Sequence, residues 1–238
     1  MASQAPSSDI QALFNRIAPV YDQLNDQLSF GWHQIWKRMA VKWSGATGGD
    51  RVLDLCCGTG DVTLLLAEAV GPQGQVYGVD FACELLVVAA ERENRMGATG
   101  EERPRVVWQS GDVLGLEFPD QSFDAATMGY GLRNVVDIPQ ALRELHRVLK
   151  PGAQAAILDM NHPMNETLRR LQRWYLDQFV VPCATRLGMR DEYLYINPSI
   201  DRFPRGPEQV AIAQEIGFTQ ATHYPIAFGM MGVLVLKR

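Results

Sequence analysis

Short, almost wholly apolar runs alternate along this chain with segments whose apolar residues recur every three or four positions. Few folds accept that rhythm. Arg51–Cys56, Gln75–Asp80, Arg105–Ser110, Phe123–Gly129 and Ala153–Met160 read as strands. Between them, Asp61–Val70 carries Val62, Leu65, Leu66 and Ala69 on one face, and Gly71-Pro72-Gln73-Gly74 breaks it. Cys83–Met96 is a second helix, closed by Gly97. Asp137 stands as an N-cap with Pro139 in the first turn of a third. Its buried stripe is Ile138, Ala141, Leu142, Leu145, Val148 and Leu149, and Lys150-Pro151-Gly152 stops it. Glu208–Ile216 is a last helix, and Phe218–Tyr224 with Met230–Leu236 forms a closing strand pair. Strands that are apolar on both faces and joined by helices make a parallel sheet covered on both sides. The expected fold is therefore α/β and doubly wound, a mostly parallel seven-stranded sheet with an antiparallel addition at one edge.

The chain has 238 residues, which favours one domain with additions over two. Residues 1–8 are a polar lead-in, and Asp9–Trp43 is helical with aromatics interleaved. This predicts an N-terminal helical cap over 1–45 ahead of a main domain at 46–238. Residues 161–206 interrupt the alternation with an aromatic-rich helix and a Pro-rich stretch, a natural position for a substrate lid. Hydrophobic residues at 47% and charged residues at 21% exclude a disordered, collagen-like or coiled-coil chain. Formal charge is 22 − 27 = −5, which argues against nucleic acid as a partner, since phosphate affinity needs clustered cations. Cys56, Cys57, Cys83 and Cys183 show no CxxC spacing and no paired histidines, so no metal site and no disulfide is expected. With neither a secretory leader nor a run of about 18–20 apolar residues, the expected location is the cytoplasm, at most peripheral to a membrane.

Where the first strand turns into the first helix stands Asp54-Leu55-Cys56-Cys57-Gly58-Thr59-Gly60. Ligands of open α/β sheets bind at the carboxyl ends of the strands, so this loop faces the site. Gly58 and Gly60 let a ligand approach bare backbone. A dinucleotide loop would continue to a third Gly or Ala. Here that position is Thr63, and Asp61 sets a negative charge where a pyrophosphate would need a positive one. Asp80 ends the second strand, placed to accept hydrogen bonds from both hydroxyls of a ribose, with Phe81 beside it; a helix cap is its plainer use. Asp112, followed by Val113, lies just after the third strand and suits an exocyclic amine such as that of adenine; a plain loop aspartate is the other use. A nucleoside without phosphates, met by a glycine loop and two strand-end acids, fits S-adenosylmethionine as the cofactor. The combination resembles a class I methyltransferase.

Gly129-Tyr130-Gly131-Leu132-Arg133-Asn134 follows the fourth strand, where base-methylating enzymes usually carry Asn or Asp followed by Pro-Pro and an aromatic. Upstream, Tyr21-Asp22-Gln23-Leu24-Asn25 and Leu28-Ser29-Phe30-Gly31-Trp32-His33-Gln34-Ile35-Trp36-Lys37 are similar to the first signature of the ubiquinone/menaquinone C-methyltransferase family. Arg147–Gly152 resembles the start of its second, which then departs at Ala153 and at Asp159-Met160-Asn161, where Glu-x-Ser is usual. The versions present look most like the members that methylate demethylphylloquinone in photosynthetic organisms. That resemblance implies a lipid quinol substrate, transient contact with a membrane, and an oligomeric state left open, a homodimer included. It also implies that Asp54, Gly58, Thr59, Gly60, Asp80, Phe81, Asp112, Val113 and Gly129 bind the cofactor. Attack by a ring carbon requires the quinol, whose phenolic proton must leave. Arg133 is proposed to supply the positive field for a developing phenolate, oriented by Asn134 and Tyr21, because an arginine is a poor direct base. His33 is the alternative base, or a structural histidine between Trp32 and Trp36. Two basic-aromatic groups, Lys37, Arg38 and Lys42, and Arg169, Arg170, Arg173 with Trp174, are candidates for the lipid surface or plain solvated faces. The aromatics Trp174, Tyr175, Phe179, Tyr193 and Tyr195 are candidates to enclose a tail, or ordinary packing.

Overall fold

A computed structural model describes Gln11 and residues 31–97, 104–186 and 193–238. Helix α1 (Trp32–Trp43) leads into β1 (Arg51–Leu55), α2 (Asp61–Val70), β2 (Gln75–Asp80), α3 (Cys83–Gly97), β3 (Arg105–Ser110) and β4 (Phe123–Gly129). Then come α4 (Ile138–Val148), β5 (Leu149–Met160), α5 (Glu166–Tyr175), a π-helical turn at Leu176–Val180, α6 (Val181–Arg186) and α7 (Ile196–Arg202). Helix α8 (Gly206–Ile216) and strands β6 (Gln220–Ile226) and β7 (Met231–Lys237) complete the chain. The seven strands lie in the order β3-β2-β1-β4-β5-β7-β6. The first five are parallel, and β7 runs antiparallel to both β5 and β6. This is the class I methyltransferase sheet. Strand order reverses between β1 and β4, which opens a crevice at their carboxyl ends.

Alternate residues of each strand feed opposite faces of the sheet. Leu53 and Leu55 join Phe123, Leu142, Leu145, Ala213 and Leu234 under α4 and α8. Val52 instead joins Val62, Leu66, Val70 and Val76 under α2, together with Val41 of α1. Burying both faces explains the near-continuous apolar strands. Helix α1 also covers β5 and β7 through Ala40, Ala156, Leu158 and Val233.

Several boundaries differ from the sequence reading, by a residue at the ends of β1 and α3 and by more elsewhere. Strand β5 begins at Leu149 rather than Ala153, because Lys150-Pro151-Gly152 bulges within the strand; pairing jumps from Phe123↔Leu149 to Ala125↔Gln154. The last two strands are shifted, since Ala227–Gly229 forms a helical turn that sets Ile226 opposite Met231. Helix α8 starts two residues early, with Pro207 in its first turn.

Candidate active site

Beyond β1 the backbone enters left-handed conformations at Cys56 (φ 53), Gly58 (φ 56) and Gly60 (φ 86) before α2 begins. A Cβ on Gly60 would fall 2.5 Å from the Trp108 ring, so β3 presses the loop against a side chain that excludes any larger residue. At Gly58 nothing lies within 4 Å of such an atom, which leaves bare backbone facing open space. Asp80 ties this loop to the end of β2. Its Oδ2 accepts from the Gly58 amide at 2.9 Å and its Oδ1 from the Ala82 amide at 2.9 Å. Burial raises its pKa, although these amides pull the other way. Asp80 thus serves the plainer use, capping the chain after β2, and its oxygens retain further acceptor capacity.

Asp54 lies beneath the loop, fully buried. It accepts from Thr63 Oγ1 at 2.6 Å and Thr127 Oγ1 at 2.7 Å, and burial pushes its pKa up to about 7. Its carboxylate thus braces β1, β4 and α2, and also lines a small cavity. Thr59 is buried, with its carbonyl and hydroxyl oxygens accepting from Arg92. Asp112 is exposed, and its Oδ1 accepts from the Leu114 amide at 2.9 Å. At Gly129 a Cβ would come within 3.3 Å of Val62.

These groups frame a pocket of about 730 Å³ lined by Asp80, Phe81, Asp112, Val113, Gly129 and Asn134, among mainly apolar neighbours. A smaller cavity of about 340 Å³ shares Cys56, Gly58, Gly129 and Tyr130 with it and adds Lys37, Thr59 and Asp61. Lys37 reaches from α1 to an ion pair with Asp61, which Arg92 also holds. Burial alone would raise the Asp61 pKa, but the two cations keep it below the usual carboxylate range. A ligand with a flat nucleoside at one end and an amino-acid zwitterion at the other fits this pair of cavities. S-Adenosylmethionine is such a molecule.

The turn after β4 supplies the polar groups on the far wall. Tyr130 is left-handed (φ 61) and Leu132–Asn134 forms one 3-10 turn. Arg133 Nη1 donates to the Tyr130 carbonyl and to Asp159 Oδ1, both at 2.7 Å, while its backbone amide donates to Asp159 Oδ2 at 3.0 Å. Asp159, at the end of β5, is 1% exposed. Asn134 Nδ2 donates to the Tyr130 carbonyl at 3.2 Å, and its buried Oδ1 meets no donor. His33 is buried on the Lys37 face of α1, with Gln34 Nε2 2.9 Å from its Nε2, and lines neither cavity. Tyr21 lies outside the described residues.

Over residues 2–235 the chain matches the model of the ubiE/COQ5 methyltransferase family. It belongs to that family. A relative from Nostoc punctiforme, 2-phytyl-1,4-naphtoquinone methyltransferase, is 60% identical over 98% of this chain and 99% of its own length. A chloroplastic 2-phytyl-1,4-beta-naphthoquinone methyltransferase from Arabidopsis thaliana is 50% identical over 98% of this chain and 88% of its own. Among solved structures, a SAM-dependent methyltransferase from Aquifex aeolicus superposes with a TM-score of 0.62 at 20% identity, covering 84% of this chain and 88% of that one. A putative methyltransferase in complex with the Haloferax volcanii Trm112 activator gives 0.67 at 18%, covering 94% and 96%. As a class I ubiE/COQ5 methyltransferase the protein uses S-adenosylmethionine, which its paired cavities fit.

The sequence reading offers Lys37, with Arg38 and Lys42, as part of a lipid-facing or a plainly solvated surface, outward in either case. The structure corrects this: Lys37 is 4% exposed, because helical spacing puts it on the inward stripe with His33, Ala40 and Val41. The position of Lys37 four residues after His33 was the available signal, but nothing local named Asp61 as its partner. Asp159 was noticed only as a departure from the family pattern; its grip on Arg133 needs β5 to lie beside β4.

Proposed function

We propose that this enzyme methylates a ring carbon of 2-phytyl-1,4-naphthoquinol, giving the methylated quinol of quinone biosynthesis. The two named relatives support the acceptor class, through identity over nearly the whole chain. One observation carries the chemistry: Asn134, on the pocket wall, holds a buried carbonyl oxygen without a donor. A buried acceptor left unpaired costs about 1–3 kcal/mol; a quinol hydroxyl can supply the missing donor, whereas a quinone brings none.

When bound, the cofactor supplies a methyl group already activated by its sulfonium. Asp80 and the Gly58 loop hold the nucleoside end, and Lys37 with Asp61 meets the amino-acid end. Asn134 orients the quinol hydroxyl, and Arg133, aimed by Asp159 and the Tyr130 carbonyl, stabilises the negative charge that forms as the phenolic proton leaves. Held as its phenolate by these two side chains, the quinol would present an electron-rich ring carbon to the methyl group that the bound cofactor would supply. Tyr21 is the candidate to carry the phenolic proton, since His33 is buried and lines neither cavity. Residues 161–206 act as the lid, α7 packing directly on the Leu132–Asn134 turn. The enzyme works at a membrane surface; among the described residues no helix is long and apolar enough to cross one.

The test is methylation of demethylated phytyl-naphthoquinone and of a prenylated benzoquinone, each supplied oxidised and reduced. Product is expected from the reduced naphthoquinol, with the new methyl on carbon. A methyl on oxygen, or equal turnover of the oxidised form, overturns the reading.

A further inference from the structure

Helix α5 is mounted the unusual way round. Its buried residue is Gln172, whose Nε2 donates to the Asn161 carbonyl at 3.1 Å and the Met230 carbonyl at 3.2 Å. Leu171 and Trp174 face outward, 48% and 52% exposed. The helix is thus clipped to the ends of β5 and β7 by polar bonds, and part of its apolar stripe is left outside. Phe179, in the π-helical turn that follows, is also 52% exposed and meets Trp174 edge-on at 5.2 Å.

Two more apolar side chains stand beside this helix. Phe228, at the tip of the β6–β7 turn, is 84% exposed on a left-handed backbone (φ 57), a conformation an aromatic residue rarely adopts. The next residue packs on Pro163, since a Cβ on Gly229 would lie 3.3 Å from the Pro163 Cα. Pro163 precedes Met164, which is 78% exposed. Turn, loop and helix therefore form one apolar rim on the end of the sheet that carries the cofactor pocket. Next to it runs a groove with Arg169, Arg170, Arg173, Arg202 and Arg205 against Glu166, Asp201 and Glu208, a net positive belt on a chain of net charge −5.

We propose that this rim enters the surface of an anionic lipid bilayer, with Trp174, Phe179, Met164 and Phe228 among the acyl chains and the arginine belt at the headgroups. The proposal rests on the lipid-quinol reading above and adds where the substrate's membrane docks. An apolar helix edge flanked by arginines matches the demands of an interface whose interior is apolar and whose surface is negative. A second copy is the poorer occupant, because a two-fold contact brings one basic belt near its twin. Seated this way, the pocket mouth opens toward the bilayer, and a quinol head can reach it while its tail stays in lipid.

The experiment is flotation of the full chain with phosphatidylglycerol-containing vesicles and with pure phosphatidylcholine vesicles, comparing wild type with a Trp174→Ser/Phe228→Ser double variant. Wild type should bind the anionic vesicles at least tenfold better than the neutral ones, and raised salt should weaken that binding. The double variant should lose at least tenfold in affinity for the anionic vesicles, with its melting temperature and its affinity for S-adenosylhomocysteine unchanged. Equal vesicle binding by the two proteins, or none by wild type, overturns the proposal. A change of oligomeric state in the variant without vesicle binding by either protein assigns the rim to a second copy and also overturns it. Vesicle binding as described, with no naphthoquinol methylated in any form, would instead fault the substrate assignment and leave the docking surface standing.

Discussion

Asp54, at 0% exposure, is among the most tightly enclosed charges in the protein. Its pKa is raised from 3.8 to about 7, so the folded state holds a proton that the unfolded chain releases. A raised folded value contributes stability that is complete below the unfolded pKa and is lost as pH climbs to the folded one. Between pH 4 and 7 this single group should withdraw about 4 kcal/mol. Asp54→Asn removes the titration, so urea unfolding should show the variant gaining on wild type across that window and holding its lead above it. Parallel pH profiles would reject the assignment. Arg133 gives a second prediction at this scale. Its partners include the Tyr130 carbonyl and Asp159, and it does not line the nucleoside pocket. Arg133→Ala should therefore keep cofactor affinity within a few-fold while kcat falls by about 10²–10³, the usual loss for one charge-stabilising donor. Calorimetry with S-adenosylhomocysteine and steady-state rates separate the two effects.

At the scale of elements, the junction that matters most is that of α1 with the cofactor loop. Lys37 and Asp61 are both largely removed from water, and breaking a buried pair from one side leaves a charge without compensation. Arg92 stays on Asp61, which softens the loss. Lys37→Ala should cost about 3 kcal/mol of unfolding free energy, at the lower end for buried pairs. The double change Lys37→Met/Asp61→Leu should cost less than Lys37→Ala alone, as a denaturant series would show. The helices and strands themselves were legible: each boundary of α2, β2, β3 and β4 follows from its apolar period and its Gly or Pro stops. The bulge in β5 was not, because Lys150-Pro151-Gly152 is a sound helix stop whether or not the chain then resumes pairing with β4.

Across the whole molecule, the cofactor cavity is held by residues of β1, β2 and β4, by the loop after β3 and by α1, so occupancy should stiffen the domain as a unit. S-Adenosylhomocysteine at a hundredfold excess over its Kd should add about 2.7 kcal/mol of stability. For a chain of this length that is a rise in Tm of roughly 5–10 °C. Asp80→Ala should abolish the rise, since it removes both the ribose acceptor and the anchor of the Gly58 amide. An undiminished shift in that variant would place the nucleoside elsewhere.

The order of the sheet's strands and covering helices along the chain, the glycine turn, the acids at the end of β2 and just after β3 and the Gly-Leu-Arg-Asn turn were all legible in the amino-acid sequence read alone. Each depends on interactions within a few residues: apolar period, capping, and backbone freedom at glycine. Packing alone decided what those side chains touch. Lys37 finds Asp61 across 24 positions, and Arg133 finds Asp159 across 26. β7 inserts between β5 and β6, and α5 turns a glutamine inward. Such pairings are chosen by how the layers bury their apolar faces together, a property of the assembled sheet that no local stretch of chain encodes.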